Sequence, residues 1–101
     1  MDGKFVLAYN AKGMIYDLME DYSASFAEFS RAIDLDPKNS VFYHNRGCCL
    51  KNMEKYEESI KDFLESLQYN SDNPVTYLNI GIVYRKMDRF KEAIEYFSKE
   101  I

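Results

Sequence analysis

The chain has 101 residues, with no tryptophan, two prolines, a single histidine and two cysteines that stand side by side. Two adjacent thiols do not make the disulfide framework of a small secreted domain. No apolar run approaches the roughly 18 residues of a membrane span. The N-terminal MDGKFVLAYN lacks the charged, then apolar, then small layout of a signal peptide. The expected setting is therefore intracellular and cytoplasmic, with no membrane partner. A formal charge of −4 leaves no basic surplus to neutralise phosphates, so no nucleic-acid partner is expected. The chain has no glycine-rich phosphate loop and no serine in a nucleophile elbow. With only one histidine besides, it is expected to be no enzyme and to hold no cofactor.

What is present is a repeat. At a spacing of 34, Tyr9, Tyr43 and Tyr77 align, as do Gly13, Gly47 and Gly81, then Tyr16, Leu50 and Tyr84. Met19, Met53 and Met87 follow, then Tyr22, Tyr56 and Phe90, then Ser25, Ser59 and Ala93, then Phe29, Phe63 and Phe97. Each unit reads as two helices of about 13 residues joined by a polar turn. Asn39 and Asn73 stand where a side chain would cap the next helix, and Pro74 occupies a first helical position, where its missing donor costs nothing. Pro37 stops the first unit's second helix, and Asp21 and Asp88 mark turns between paired helices. A mid-helix glycine costs about 1 kcal/mol relative to alanine. Its recurrence therefore predicts a close helix crossing, with Ser25, Ser59 and Ala93 opposite the glycines.

These residues resemble the tetratricopeptide repeat, whose pattern is an aromatic, a glycine, an aromatic, then a small residue, an aromatic and a proline. RAIDLDPKN at 31–39 is especially close to the usual end of such a repeat, with Ala32 and Pro37 in place. Tyrosine replaces the usual leading tryptophan, Lys12 and Arg46 replace an expected leucine, and Ser71 replaces the second proline. The resemblance implies an all-α fold, a right-handed α-solenoid of three antiparallel helix pairs. It divides a single domain, 1–101, into repeats 6–39, 40–73 and 74–101, the last truncated, as in a fragment of a larger array.

One stretch invites a chemical reading: YHNRGCCLKNMEKY at 43–56, which carries both cysteines and the histidine. In register, Cys48 and Cys49 correspond to Met14 and Ile15, and to Ile82 and Val83, so the positions ask for modest apolar side chains. Neighbours on a helix point about 100° apart, and a bond between these two would distort it. Structural zinc takes four ligands, and His44 with two cysteines supplies fewer. Both thiols are expected to be structural, with no metal; a redox role for Cys48 would require it to be exposed.

The resemblance also implies where a partner would sit, because the first helix of each repeat lines the concave side of such arrays and extended peptides lie there. By register the lining is Leu7, Asn10, Ala11, Met14 and Asp17, then Val41, His44, Asn45, Cys48, Lys51 and Asn52, then Val75, Leu78, Asn79, Ile82, Arg85 and Lys86. Asn45 and Asn79 share one position, where an amide can both donate to and accept from a peptide backbone. Met14, Cys48 and Ile82 form an apolar line. Residues 40–53 and 74–87 hold Arg46, Lys51, Arg85 and Lys86 and no acid, while acids crowd the second helices. A basic groove on an acidic chain would steer acidic ligands inward. The expected function is protein–protein interaction, with an extended, acidic peptide in the groove.

Two narrower readings compete. Co-chaperones of this kind grip an acidic chaperone tail with a five-residue clamp, of which only Asn45 fits; Asn10, Met14, Val75 and Asn79 depart from it. A scaffold reading has the chain stack or self-associate through Ile94, Phe97 and Ile101.

Overall fold

The computed structural model describes residues 3–99, and these form helices and short turns alone: α1 (Gly3–Leu18), α2 (Tyr22–Leu35), α3 (Ser40–Asn52), α4 (Tyr56–Tyr69), α5 (Pro74–Lys86) and α6 (Phe90–Ser98). Consecutive helices pair as α1/α2, α3/α4 and α5/α6, while α2 packs on α3 and α4 on α5. The fold is the expected helical-repeat solenoid. Its core lies along these seams, around Val6, Ala32, Ile33 and Phe42 at one junction and Ile60, Phe63, Ile80 and Val83 at the next.

The helix starts follow from their caps. Asn39 accepts a hydrogen bond from the Val41 amide and Asn73 from the Val75 amide, each at 3.0 Å, and Pro74 opens α5. Asp21 and Asp88, expected to play one part, play two. Asp21 caps α2 through the Ala24 amide, whereas Asp88 sits one register place earlier, in the left-handed region at φ 61°. Glu20 and Glu54 share that conformation, at φ 60° and 61°. Each lets the next amide turn back to the preceding helix: Asp21 to Tyr16, Lys55 to Leu50 and Arg89 to Tyr84, all at 2.9 Å. This is the hydrogen bonding of a Schellman-type stop, usually made by glycine. The leading tyrosines do more than keep bulk. The hydroxyls of Tyr43 and Tyr77 donate to the carbonyls of Pro37 and Ser71, tying down the loops between repeats.

The glycines stand at close crossings, but an aromatic ring occupies the space each one leaves. A Cβ on Gly13, Gly47 or Gly81 would lie 2.6, 2.8 or 2.6 Å from the ring of Phe29, Phe63 or Phe97. The small residues act differently. Ser25 and Ser59 donate to the carbonyls of Gly13 and Gly47 at 2.8 Å, satisfying their buried hydroxyls.

The basic substitutions at the leucine position are matched by acids in register. Lys12 meets buried Glu28 at 3.2 Å, and Arg46 grips Asp62 with two nitrogens at 2.7 and 3.0 Å. The third repeat replaces this pair with Ile80 and Tyr96. Arg46 also reaches Ser30 and lies over the rings of Phe26 and Tyr43. This corrects the expected basic face. Arg46 is committed to the α3/α4 seam, its charge neutralised, and it adds nothing to the concave side.

Candidate functional site

The first helices lie side by side, α1 touching α3 and α3 touching α5, while α2, α4 and α6 share no contact among the described residues. The array therefore curves with α1, α3 and α5 on its inner face. Residues spaced three and four apart share a helix face, so equivalent positions form rows across the three helices. The first row, Leu7, Val41 and Val75, is apolar and exposed. Then come Asn10, His44 and Leu78; Ala11, Asn45 and Asn79; and Met14, Cys48 and Ile82. The last rows are Asp17, Lys51 and Arg85, then Leu18, Asn52 and Lys86. The fifth row changes sign along the array.

Side chains bridge the rows differently in the two intervals. Between α1 and α3, Asn45 donates to the Asn10 carbonyl oxygen at 3.0 Å, and Asn10 reaches the Met14 sulfur at 3.7 Å. Between α3 and α5, the Lys51 ammonium donates to the Asn79 side-chain oxygen at 2.8 Å, and His44 Nδ1 lies 2.8 Å from the Thr76 hydroxyl. Asn79 also donates to the Val75 carbonyl at 3.0 Å and is 8% exposed. Both ends of its amide are engaged. Asn45 is half-buried and keeps its own oxygen uncommitted among the described residues. The two asparagines are thus equivalent in register and unlike in surroundings. Thr76 was not legible as a site residue, because its counterparts Ala8 and Phe42 carry no hydroxyl.

Met14 and Leu78 are open to solvent, Ile82 and Cys48 half-buried, and Arg85 and Lys86 exposed, with no carboxylate paired to either among the described residues. Met14, Asp17, Leu18, Phe29, Asn45 and Cys48, with His44, enclose a recess of about 260 Å³ between α1 and α3. Burial pushes the Asp17 carboxyl up from its ordinary range, and Asn52 and the charge of Lys51 pull it partly back.

The surroundings of the cysteine–histidine stretch favour the uncharged forms of both groups. Burial drives the Cys48 thiol up to about 11, so thiolate is scarce at neutral pH, and His44 Nε2 lies 3.7 Å from its sulfur. Burial, aided by Lys51, lowers His44 and favours its neutral ring. Cys49 is fully buried and donates to the Tyr22 carbonyl at 3.2 Å, which helps seat α3 on α2. No group of three potential metal ligands gathers among the described residues.

On α6, Phe90 and Ile94 are exposed, but Phe97 turns inward on Gly81, unlike the expected open edge. Ile101 lies outside the described residues. No described helix is long and apolar enough to cross a membrane.

Six helices, a close glycine–phenylalanine crossing in each pair and a curved inner face define a helical-repeat protein. Two family models, each described as tetratricopeptide repeat, match residues 28–61 and residues 6–39 with 75–99. The chain belongs to the tetratricopeptide repeat family, whose members are in general protein–protein interaction modules rather than enzymes. No curated protein sequence matches it. Among solved structures it is similar to the TPR domain of Arabidopsis OM64, at 20% identity and TM-score 0.92, covering 96% of this chain and 80% of that one. The first TPR domain of Spaghetti (RPAP3), bound to the HSP90 peptide SRMEEVD, is similar at 20% identity and TM-score 0.92, covering 99% and 79%. MamA is similar at 22% identity and TM-score 0.90; the match takes 94% of this chain but 56% of MamA, so this chain spans little more than half of that protein. At such identities the likeness is one of fold.

Proposed function

We propose that the inner face of α1, α3 and α5 binds an extended, acidic peptide segment of a partner protein. The observation that carries this reading is the combination of an exposed apolar row, Leu7, Val41 and Val75, with exposed Arg85 and Lys86 at the other end of the same face. Apolar side chains of the ligand would rest on the first row, and the Asn45 oxygen would take a backbone amide. Lys51, Arg85 and Lys86 would read carboxylates, while the acids of the second helices repel them from the outer side. A similar fold solved with a bound peptide supports peptide binding as the mode. The chaperone-tail clamp is not proposed, since its positions here hold Asn10, Met14, Val75 and Asn79.

The test is fluorescence anisotropy with extended acidic and basic peptides of equal length at two salt concentrations. The acidic peptide should bind more tightly, with the margin shrinking as salt rises, because exposed charges are screened beyond about 10 Å at 0.1 M. Equal affinity for both would refute the reading.

A second reading, stacking through α6, rests on one comparison. Ile60 is 7% exposed because α5 covers it, whereas its register mate Ile94 is 65% exposed. Sedimentation equilibrium tests it: Ile94→Lys should abolish any concentration-dependent association, and a strictly monomeric parent chain would dispose of it.

A further inference from the structure

The fifth row of the inner face holds Lys51 and Arg85, but it begins with Asp17 on α1. Among the described residues one Asp17 oxygen, Oδ1, is buried without a hydrogen-bond partner, and Asn52 is the one side chain that hydrogen-bonds the carboxyl group. A carboxylate oxygen shut away from water without a donor is costly, so such an atom ordinarily has a partner. Lys51 is near enough to bias Asp17 electrostatically, yet its ammonium donates to Asn79 and forms no ion pair with the carboxylate among the described residues. The recess that Asp17 lines has Met14, Leu18, Phe29 and Cys48 as apolar walls. Its roughly 260 Å³ falls below the 300–1,000 Å³ of typical small-molecule sites and suits one side chain rather than a free ligand.

Resting on the peptide-groove reading above, we propose that this recess seats one basic side chain of the otherwise acidic ligand. The aliphatic stem of a lysine or arginine would lie against Met14 and Leu18, with its cationic group facing the Asp17 carboxylate that lines the recess. Long basic side chains divide in this way between apolar surface and a polar end. A charge-assisted hydrogen bond in a partly desolvated site is also among the stronger single contacts available. The ligand is then bipolar and its direction is set, with the basic residue over α1 and α3 and the acidic residues over Arg85 and Lys86 on α5. An acidic ligand without that residue would set its own carboxylates against Asp17 in the recess.

The experiment uses the full 101-residue chain and a short acetylated, amidated peptide of alternating alanine and glutamate. One position at a time is replaced by lysine or by norleucine, which keeps the stem and removes the charge. Lysine at one register should improve affinity about tenfold over norleucine at the same place. Asp17→Asn should erase that preference, whereas Glu57→Gln on the outer side should keep it. In the parent chain, binding of the lysine peptide should pull the Asp17 carboxyl titration, followed by carbon NMR, downward. Peptides that bind with no lysine preference, or a preference that survives in Asp17→Asn, would overturn this proposal and leave the groove reading standing. Failure of every peptide to bind would overturn both.

Discussion

The two intervals of the inner face are made from one repeated design and have come out differently. Between α1 and α3 the face is open. Met14 is exposed, the asparagine bridge leaves an acceptor free, and a recess is lined by the Asp17 carboxylate. Between α3 and α5 it is closed by two direct links, Lys51 to Asn79 and His44 to Thr76, and Arg85 and Lys86 beyond are exposed at the rim. The helices, turns and glycine crossings are common to both. A few side chains at fixed register positions therefore decide where a solenoid presents a pocket and where it presents a sealed wall. The framework sets the rows, and the residues within them set the chemistry.

The contrast collapses if the shared wall fails. Helix α3 serves both intervals and is held to α4 by Arg46 and Asp62. Asp62→Ala leaves that guanidinium without its partner and should cost about 3 kcal/mol in urea unfolding. Replacing the pair together by Arg46→Met and Asp62→Leu should recover most of the loss, as Ile80 and Tyr96 already suggest in the third repeat. The glycine crossings come next. Gly47→Ala drives a Cβ into the fully buried Phe63 ring, and overpacking should outweigh the gain in helix propensity by about 1–3 kcal/mol. Gly81→Ala should cost less, because Phe97 is only half-buried and can yield.

The asparagines separate the two intervals more finely. Asn45→Ala should weaken acidic-peptide binding about fivefold with little change in stability, whereas Asn79→Ala should cost about 1 kcal/mol of stability. Isothermal titration and thermal melting on the same two variants separate these outcomes. The reverse pattern would exchange the open and closed intervals.

Smallest are the pH effects, and they have opposite signs. His44 titrates below its unfolded value, so its contribution is present above about pH 6.5 and lost as pH falls through the depressed value. Asp17 titrates above its unfolded value. Its contribution is present below about pH 3.9 and lost as pH rises through the raised value. Melting temperatures across pH 4–8 should therefore flatten below about pH 6.5 for His44→Gln. For Asp17→Asn they should rise relative to the parent at neutral pH.

Much of the fold was legible because it is periodic. Seven aligned positions, two asparagine caps and Pro74 place the helices before any packing is known. The details that escaped were tertiary. The acids at 20, 54 and 88 give no sign that they adopt left-handed backbone, since glycine is the residue that advertises it. The recurring glycine signalled a close crossing, but not that a phenylalanine ring rather than a small residue fills the gap. Arg46 counted as a groove cation until Asp62, 16 residues on, came into contact. Asn79 looked identical to Asn45 because register does not reveal that Lys51 reaches across to it. Asp17 was visible: the change of sign at 17, 51 and 85 could be read from the sequence once the rows were laid out.

Everything functional here depends on the inner face of the first helices taking the ligand. Amide mapping by NMR on the isotope-labelled chain, as an extended acidic peptide is added, puts that to trial with no mutation in the way. Saturable shifts should concentrate at Asn45, Cys48, Asn79 and Arg85 on α3 and α5. Shifts confined to α2, α4 and α6 would contradict it.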